Sequence, residues 1–199
     1  MTKIKICGLY LDQDIDYVNE ASPDYAGFIL HFPKSHRNLE PDRALKLRNR
    51  LLSQIRAVSV FVDQPMETVI FTAERLRADV IQLHGHESDK YIEELREKTG
   101  REIWKAFKVR CEEDLLAASS CKADMVLLDN GYGTGQTFDW SLLEAFDRPF
   151  ILAGGLTPSN ISEAISRLGP VAVDLSSGVE TEGRKDRKKI MAAVRAARI

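Results

Sequence analysis

The sequence predicts an α/β fold, a (β/α)8 barrel built as a single domain over residues 1–199. Three observations lead there. Short apolar runs of strand character recur down the chain at nearly even intervals. Segments with helical spacing lie between them, and strand alternating with helix means βα units on a parallel sheet. Eight such units fit into 199 residues at about 25 each, and barrels of this kind run from roughly 200 residues upward. A doubly wound open sheet, usually with fewer strands, is the alternative.

The elements follow in order. The run Ile4–Cys7 precedes a helical stripe of Leu11, Ile15 and Val18. Tyr25–Leu30 leads into a helix opened by Pro41 and striped by Ala44, Leu47, Leu51 and Ile55. Val58–Val62 comes next, with Pro65 opening the following helix, and then Val80–Leu83. Ile103–Val109 is followed by the weakest helical segment, Cys111–Ser120, expected to be short or irregular. After Met125–Leu128, Asp139 stands as a cap before Trp140-Ser141-Leu142. Phe150–Ala153 is followed by Thr157-Pro158, a hydroxyl at the N-cap and a proline at the first helical position. Ile161, Ala164, Ile165 and Leu168 then make one apolar stripe, and Val171–Leu175 is the last strand. Several runs are apolar on both strand faces, as strands covered on both sides of a parallel sheet are. No linker, low-complexity run or composition shift marks a second domain.

With 28 Lys+Arg against 30 Asp+Glu, the net charge is -2. That balance argues against a protein built mainly to hold nucleic acid, which needs clustered excess Lys and Arg. Recognition of an anion must therefore be local. Cys7, Cys111 and Cys121 form no CxxC pair and no disulfide framework, which suits a reducing compartment. The amino end is charged and lacks the features of a signal peptide, and no stretch approaches the ~20 apolar residues that span a bilayer. The expectation is a cytoplasmic protein with no membrane partner, monomeric or homodimeric.

In a βα barrel the active site gathers at the carboxyl ends of the strands, so what terminates each strand is informative. The ends read Cys7-Gly8, His31 with Ser35-His36-Arg37, Asp63, Gln82-Leu83-His84-Gly85, Asp129-Asn130, Gly154-Gly155, and Asp174 with Ser176-Ser177-Gly178. The last two look like a phosphate site. Glycines let backbone N–H groups approach an anion, and a short helix beginning near Ser176 would add its positive end. The loops after strands seven and eight are the usual phosphate position in such barrels; the plainer reading is that these glycines only turn the chain. Gly131-Tyr-Gly-Thr-Gly135 lacks the GxGxxG spacing, position 136 being Gln, and reads better as a lid anchored by Phe138 and Trp140.

Cys7 is either a buried small hydrophobe or a reactive thiol at the barrel mouth. Asp129 is either a loop cap or a catalytic acid. Together a thiol and a carboxyl across the mouth form an acid/base pair suited to proton transfer beside a carbonyl or imine, with no cofactor. His84-x-His86 admits a metal reading, but third and fourth ligands are not evident. His84 is read as a polar wall of the pocket, and His86 with Glu87 as the start of the next helix. Cys111 and Cys121 keep structural readings.

Five motifs in chain order now carry a resemblance. Lys5-Ile-Cys-Gly-Leu9, Val80-Ile-Gln-Leu-His-Gly85, Gly133-Thr-Gly-Gln-Thr-Phe-Asp-Trp140, Leu152-Ala-Gly-Gly-Leu-Thr-Pro158 and Val173-Asp-Leu-Ser-Ser-Gly-Val-Glu180 together resemble the phosphoribosylanthranilate isomerase family of tryptophan biosynthesis. The resemblance implies a (β/α)8 fold and an Amadori rearrangement of N-(5-phosphoribosyl)anthranilate to 1-(2-carboxyphenylamino)-1-deoxyribulose 5-phosphate, without metal or cofactor. It implies that Cys7 is the general base at ribose C2 and Asp129 the general acid at the ring oxygen. Arg37 would hold the anthranilate carboxylate by a paired ionic hydrogen bond. Gly154, Gly155, Ser176, Ser177 and Gly178 would bind the phosphate. Gln82, His84 and Asp174 would line the substrate or orient its contacts.

Two departures stand out. His36 occupies a position where the family typically has proline, which bears on the rigidity of the loop that carries Arg37. The segment between Asp129 and Gly133 is shorter than in many members, which bears on the reach of the lid. Rival readings are another phosphosugar barrel, a barrel that binds a phosphorylated ligand without catalysis, and metal-dependent hydrolysis through His84 and His86. The related histidine-pathway isomerization needs two phosphate sites, and only one is legible here.

Overall fold

A computed structural model describes residues 1–129 and 140–198. Its centre is a closed barrel of eight parallel strands. These are β1 (Lys3–Cys7), β2 (Tyr25–Leu30), β4 (Arg56–Phe61), β5 (Val80–Leu83), β6 (Glu102–Lys108), β7 (Met125–Asp129), β8 (Phe150–Ala153) and β9 (Ala172–Leu175). Each pairs with its neighbour in that order, and β1 closes the ring by pairing with both β9 and β2. The two-residue β3 (Asn38–Leu39) extends β2 at one side. The open doubly wound sheet is therefore excluded.

Seven helices wrap the described part of the ring: α1 (Asp12–Ala21), α2 (Pro41–Arg50), α3 (Met66–Leu76), α4 (Asp89–Thr99), α5 (Glu112–Ser120), α6 (Ile161–Leu168) and α7 (Arg187–Ala197). None of the described helices is long and apolar enough to cross a membrane. The larger core lies between ring and helices, where Ile4, Ile6, Phe28, Ile81, Leu128 and Val173 meet Ile15, Val18, Leu47, Ile161 and Ile190. A second apolar layer fills the barrel itself, with Val58, Val80, Trp104, Leu127 and Ile151 pointing inward. The end of the barrel away from the active-site face is plugged by Tyr25 and Trp104, edge to face at 4.9 Å, with the Arg56 guanidinium over the Tyr25 ring.

Several sequence expectations are corrected. The segment expected to be short or irregular forms the regular nine-residue helix α5, although Ala118 is its single fully buried residue. Thr157 and Pro158 do not open α6; they form a turn, and Asn160 takes the N-cap position. The Asn160 carboxamide explains the shift, because Oδ1 accepts from Thr157 N at 2.8 Å and Nδ2 donates to Gly155 O at 3.1 Å. His86 and Glu87 precede α4, which Ser88 caps by accepting from Tyr91 N. After β7 only a single turn of 3-10 helix is described, Trp140–Leu143, and the expected cap Asp139 lies outside the described residues.

Candidate active site

β1 reads Lys-Ile-Lys-Ile-Cys, and its alternation sends Ile4 and Ile6 out toward the helices while Lys5 and Cys7 enter the barrel. Lys5 is fully buried, and a buried ammonium must be matched by an anion. Asp174, its register partner on β9, supplies one: Lys5 Nζ to Asp174 Oδ2 is 2.9 Å. The Lys5 stem and the Cys7 thiol both pack against Gly27 of β2. Burial works against the Lys5 charge, but Asp174 and Cys7 hold its pKa above the ordinary lysine value. Burial pushes the Cys7 thiol up, while the Lys5 ammonium pulls against that rise.

The register places Asp129 in the same row. From Lys5 the row passes to Asp174, then Ala153, then Asp129, then Lys108. The thiol of β1 and the carboxyl of β7 thus sit at strand ends on the same barrel face. His84, just past the end of β5, points Nε2 to within 3.9 Å of Asp129 Oδ2. Its Nδ1 lies 3.3 Å from the Gln82 amide nitrogen, which can only donate, so Nδ1 accepts and the proton resides on Nε2, facing Asp129. Burial lowers the His84 pKa below its ordinary value even though Asp129 opposes that change, so the ring is neutral at neutral pH. Among the described residues, the buried oxygens Gln82 Oε1 and Asp174 Oδ1 have no hydrogen-bond partner.

Gly154 and Gly155, both at positive φ, turn the chain out of β8. The loop after β9 packs directly on the chain that follows them. A Cβ on Gly178 would lie 1.8 Å from the Leu156 carbonyl oxygen, so no other residue lets the two loops meet this closely. Ser176 Oγ donates to the Cys7 carbonyl, and Lys185 Nζ donates to the Ser176 carbonyl at 2.9 Å. The expected short helix is a 3-10 turn at Ser177–Val179. A turn this short adds little dipole, and any anion there would be held by backbone N–H groups instead.

Arg37 lies over Gly8, and its guanidinium is already engaged. Nε and Nη2 donate to the two Glu180 oxygens at 2.7 and 2.6 Å. Glu180 also accepts from Lys185 Nζ at 2.7 Å. The edge expected to take a substrate carboxylate is occupied by a protein carboxylate. The loop that carries Arg37 is tied without a proline at position 36. Asn38 Oδ1 accepts from Phe32 N, Ser35 Oγ accepts from Arg37 N, and the His36 ring stands edge-on to Tyr10.

Other strand-end residues lie elsewhere. His31 turns outward to Thr72 Oγ1 at 2.9 Å and stacks on Phe61. His86 pairs with Asp63 at 3.1 Å, while His84 faces Asp129, so the two imidazoles have different partners, and the described residues hold no group of three or more His, Cys, Asp or Glu placed to bind a metal ion. Cys111 is exposed at the start of α5 and Cys121 is buried near the far end of the same helix. The expected lid, Gly131–Gly135 with Phe138, lies outside the described residues, although Trp140 is buried.

Sequence reasoning passed over Lys5, Glu180 and Lys185 as site residues. Lys5 had a signal: a lysine inside an otherwise apolar strand, two residues before Cys7, has to face the barrel interior if Cys7 does. Glu180 closes a quoted motif. Lys185 had none, because it reaches the site through the short hairpin of β10 (Glu180–Thr181) and β11 (Arg184–Lys185).

Comparison with known proteins agrees with this architecture. Residues 4–196 match the family model described as N-(5'phosphoribosyl)anthranilate (PRA) isomerase. The chain is 44% identical to the N-(5'-phosphoribosyl)anthranilate isomerase of Thermoanaerobacter sp. (strain X514), covering 100% of this chain and 98% of that one. It is similar to the crystal structure of phosphoribosyl anthranilate isomerase from Thermotoga maritima at 34% identity and TM-score 0.91, covering 100% of this chain and 99% of that one. That enzyme is dimeric, and monomers generated from it have also been solved. A phosphoribosyl anthranilate isomerase crystallised with reduced 1-(o-carboxyphenylamino)-1-deoxyribulose 5-phosphate matches at 33% identity and TM-score 0.89, with coverage of 100% and 99%.

Proposed function

The chain belongs to the N-(5'-phosphoribosyl)anthranilate isomerase family, and on that premise we propose how its own residues divide the rearrangement between them. Asp129 donates a proton to the furanose ring oxygen as the ring opens to an iminium at C1. The iminium acidifies the C2 proton, and Cys7, as thiolate, removes it. The C–H electron pair stays in the conjugated enaminol, and protonation at C1 with loss of the C2 hydroxyl proton completes the ketose. The observation that carries this reading is the single register row that brings Asp129 onto the barrel face where Cys7 ends β1.

The His84 Nε2–H is placed to orient the Asp129 carboxyl and, with Gln82, forms one wall of the pocket. Asp174 lines the opposite side, and its Oδ1, which has no partner among the described residues, is an acceptor for a substrate hydroxyl. Gly154, Gly155, Ser176, Ser177 and Gly178 hold the phosphate by backbone N–H groups and hydroxyls. Arg37, aimed by Glu180, offers the substrate carboxylate its remaining nitrogen, Nη1, rather than a paired fork. The protein acts in the cytoplasm, where its three free thiols stay reduced, as a monomer or homodimer.

The test generates phosphoribosylanthranilate in situ and follows the loss of its fluorescence. Turnover is expected without added metal or cofactor, with a loss of at least about 10²-fold in rate for Cys7→Ala and for Asp129→Ala. Full activity in both variants would overturn the assignment.

A further inference from the structure

We propose that Lys5 is a positioning residue that favours the anionic form of Cys7 from its place beside the thiol in the floor of the barrel mouth. The proposal rests on the reading of Cys7 as the general base. Lys5 Nζ has no route to solvent and donates to Asp174 Oδ2 at 2.9 Å, and the Cys7 thiol lies beside its stem. Gly27 on β2 makes the contact possible. A Cβ there would come within 2.8 Å of Cys7 Sγ and 3.1 Å of Lys5 Cε, so thiol and lysine stem pack side by side over bare backbone. Any larger residue at position 27 would part them.

Charge explains what the contact does. Burial alone favours the neutral thiol, which is no base. Four charged groups face the sulfur: Lys5 on its own strand, Asp174 on β9, Lys185 on β11 and Arg37 from the loop after β2. Burial and Asp174 hold the thiol above its ordinary value, and of the cations Lys5 pulls against that rise most strongly. In the reaction the C2–H bond breaks and an S–H bond forms, with the electron pair left on the substrate. The negative charge leaves sulfur, and Lys5 keeps Asp174 as its counter-ion throughout.

The experiment titrates the ultraviolet absorbance of the thiolate as a difference against Cys7→Ser, alongside the pH profile of kcat and KM. Lys5→Met is expected to move the Cys7 midpoint up by at least about one pH unit. It should also lower kcat by about 10²-fold at neutral pH, with KM little changed. Lys5→Arg, which keeps the charge, should restore part of both. Because Lys5→Met strands the buried Asp174 carboxylate, the double variant Lys5→Met/Asp174→Asn provides a neutral pair for the same titration; it should show the higher midpoint that Asp174→Asn alone does not. An unchanged midpoint in Lys5→Met, or in the double variant if the single one does not fold, would assign Lys5 a purely structural role while leaving Cys7 as base. Retained activity in Cys7→Ser would instead remove the base reading itself, and this proposal with it.

Discussion

Glu180 grips Arg37 with both carboxylate oxygens, at 2.7 Å to Nε and 2.6 Å to Nη2, while the same carboxylate takes Lys185 Nζ. One anion between two cations is favourable only where it is desolvated and fully hydrogen-bonded, and here the Lys185 side chain has no solvent exposure at all. Lys185 in turn holds the Ser176 carbonyl. The guanidinium and the serine-glycine loop are thereby fixed to one another through Glu180.

Glu180→Gln should therefore cost stability and binding together. Removing one partner of a buried pair is expected to cost about 3–5 kcal/mol, read as a shift in the urea midpoint, with KM raised. The pH dependence has a definite sign. Burial would raise the Glu180 pKa, but hydrogen bonds from Arg37 and Lys185 overcome it and hold the group below its ordinary value. Its contribution is thus fully present above the unfolded glutamate pKa of about 4.3 and is lost as pH falls through the lower folded value. The acid limb of a stability–pH curve should be shallower in Glu180→Gln than in the wild type. Parallel limbs would dismiss this role.

His84 offers a test of the Asp129 environment that needs no substrate. Burial depresses the imidazole pKa, and the Asp129 carboxylate partly restores it. Asp129→Asn removes the restoring charge, so the His84 midpoint should fall further below its ordinary value of about 6.5. Histidine NMR titration of wild type and variant reads this directly. A midpoint that rises would show that the ring and the carboxyl do not face each other.

Gly178→Ala places a methyl carbon where the Leu156 carbonyl oxygen now lies, 1.8 Å away. The loops after β8 and β9 must separate. Overpacking of this kind costs about 1–3 kcal/mol, and the separated loops lose their common anion site. The expected readout is a KM raised about tenfold or more, with weaker inhibition by inorganic phosphate. Wild-type values for both would mean that the close approach is not used.

Much of the barrel was legible because its signals are local. Tyr25–Leu30, Val80–Leu83 and Phe150–Ala153 are apolar runs with turn residues at both ends, and they form strands at those limits. Cys7 and Asp129 were singled out by the rule that chemistry gathers at strand ends, and they do end β1 and β7. What was not legible depends on contacts distant in sequence. Arg37 and Glu180 are 143 residues apart, and Lys5 and Asp174 are 169 apart. Nothing near Arg37 shows that a protein carboxylate occupies its fork. Nor does the sequence around Thr157-Pro158, which has good capping chemistry, reveal that the Asn160 carboxamide competes for the same backbone and starts the helix later.

Arg37→Lys separates charge from geometry. If Arg37 served only as a positive charge near the substrate, lysine would replace it with little loss. The structure requires more, because Nε and Nη2 are both committed to Glu180 and only a planar fork can make that pair while presenting a further nitrogen outward. Lysine could satisfy Glu180 or reach for substrate, and with Lys185 already bound to that carboxylate it would crowd a second ammonium against the first. KM for phosphoribosylanthranilate should therefore rise about tenfold or more in Arg37→Lys, close to the effect of Arg37→Ala, while kcat changes less. Steady-state kinetics of the two variants decides between the views. A lysine variant with wild-type KM would reduce Arg37 to a local charge and leave the grip of Glu180 without a functional role.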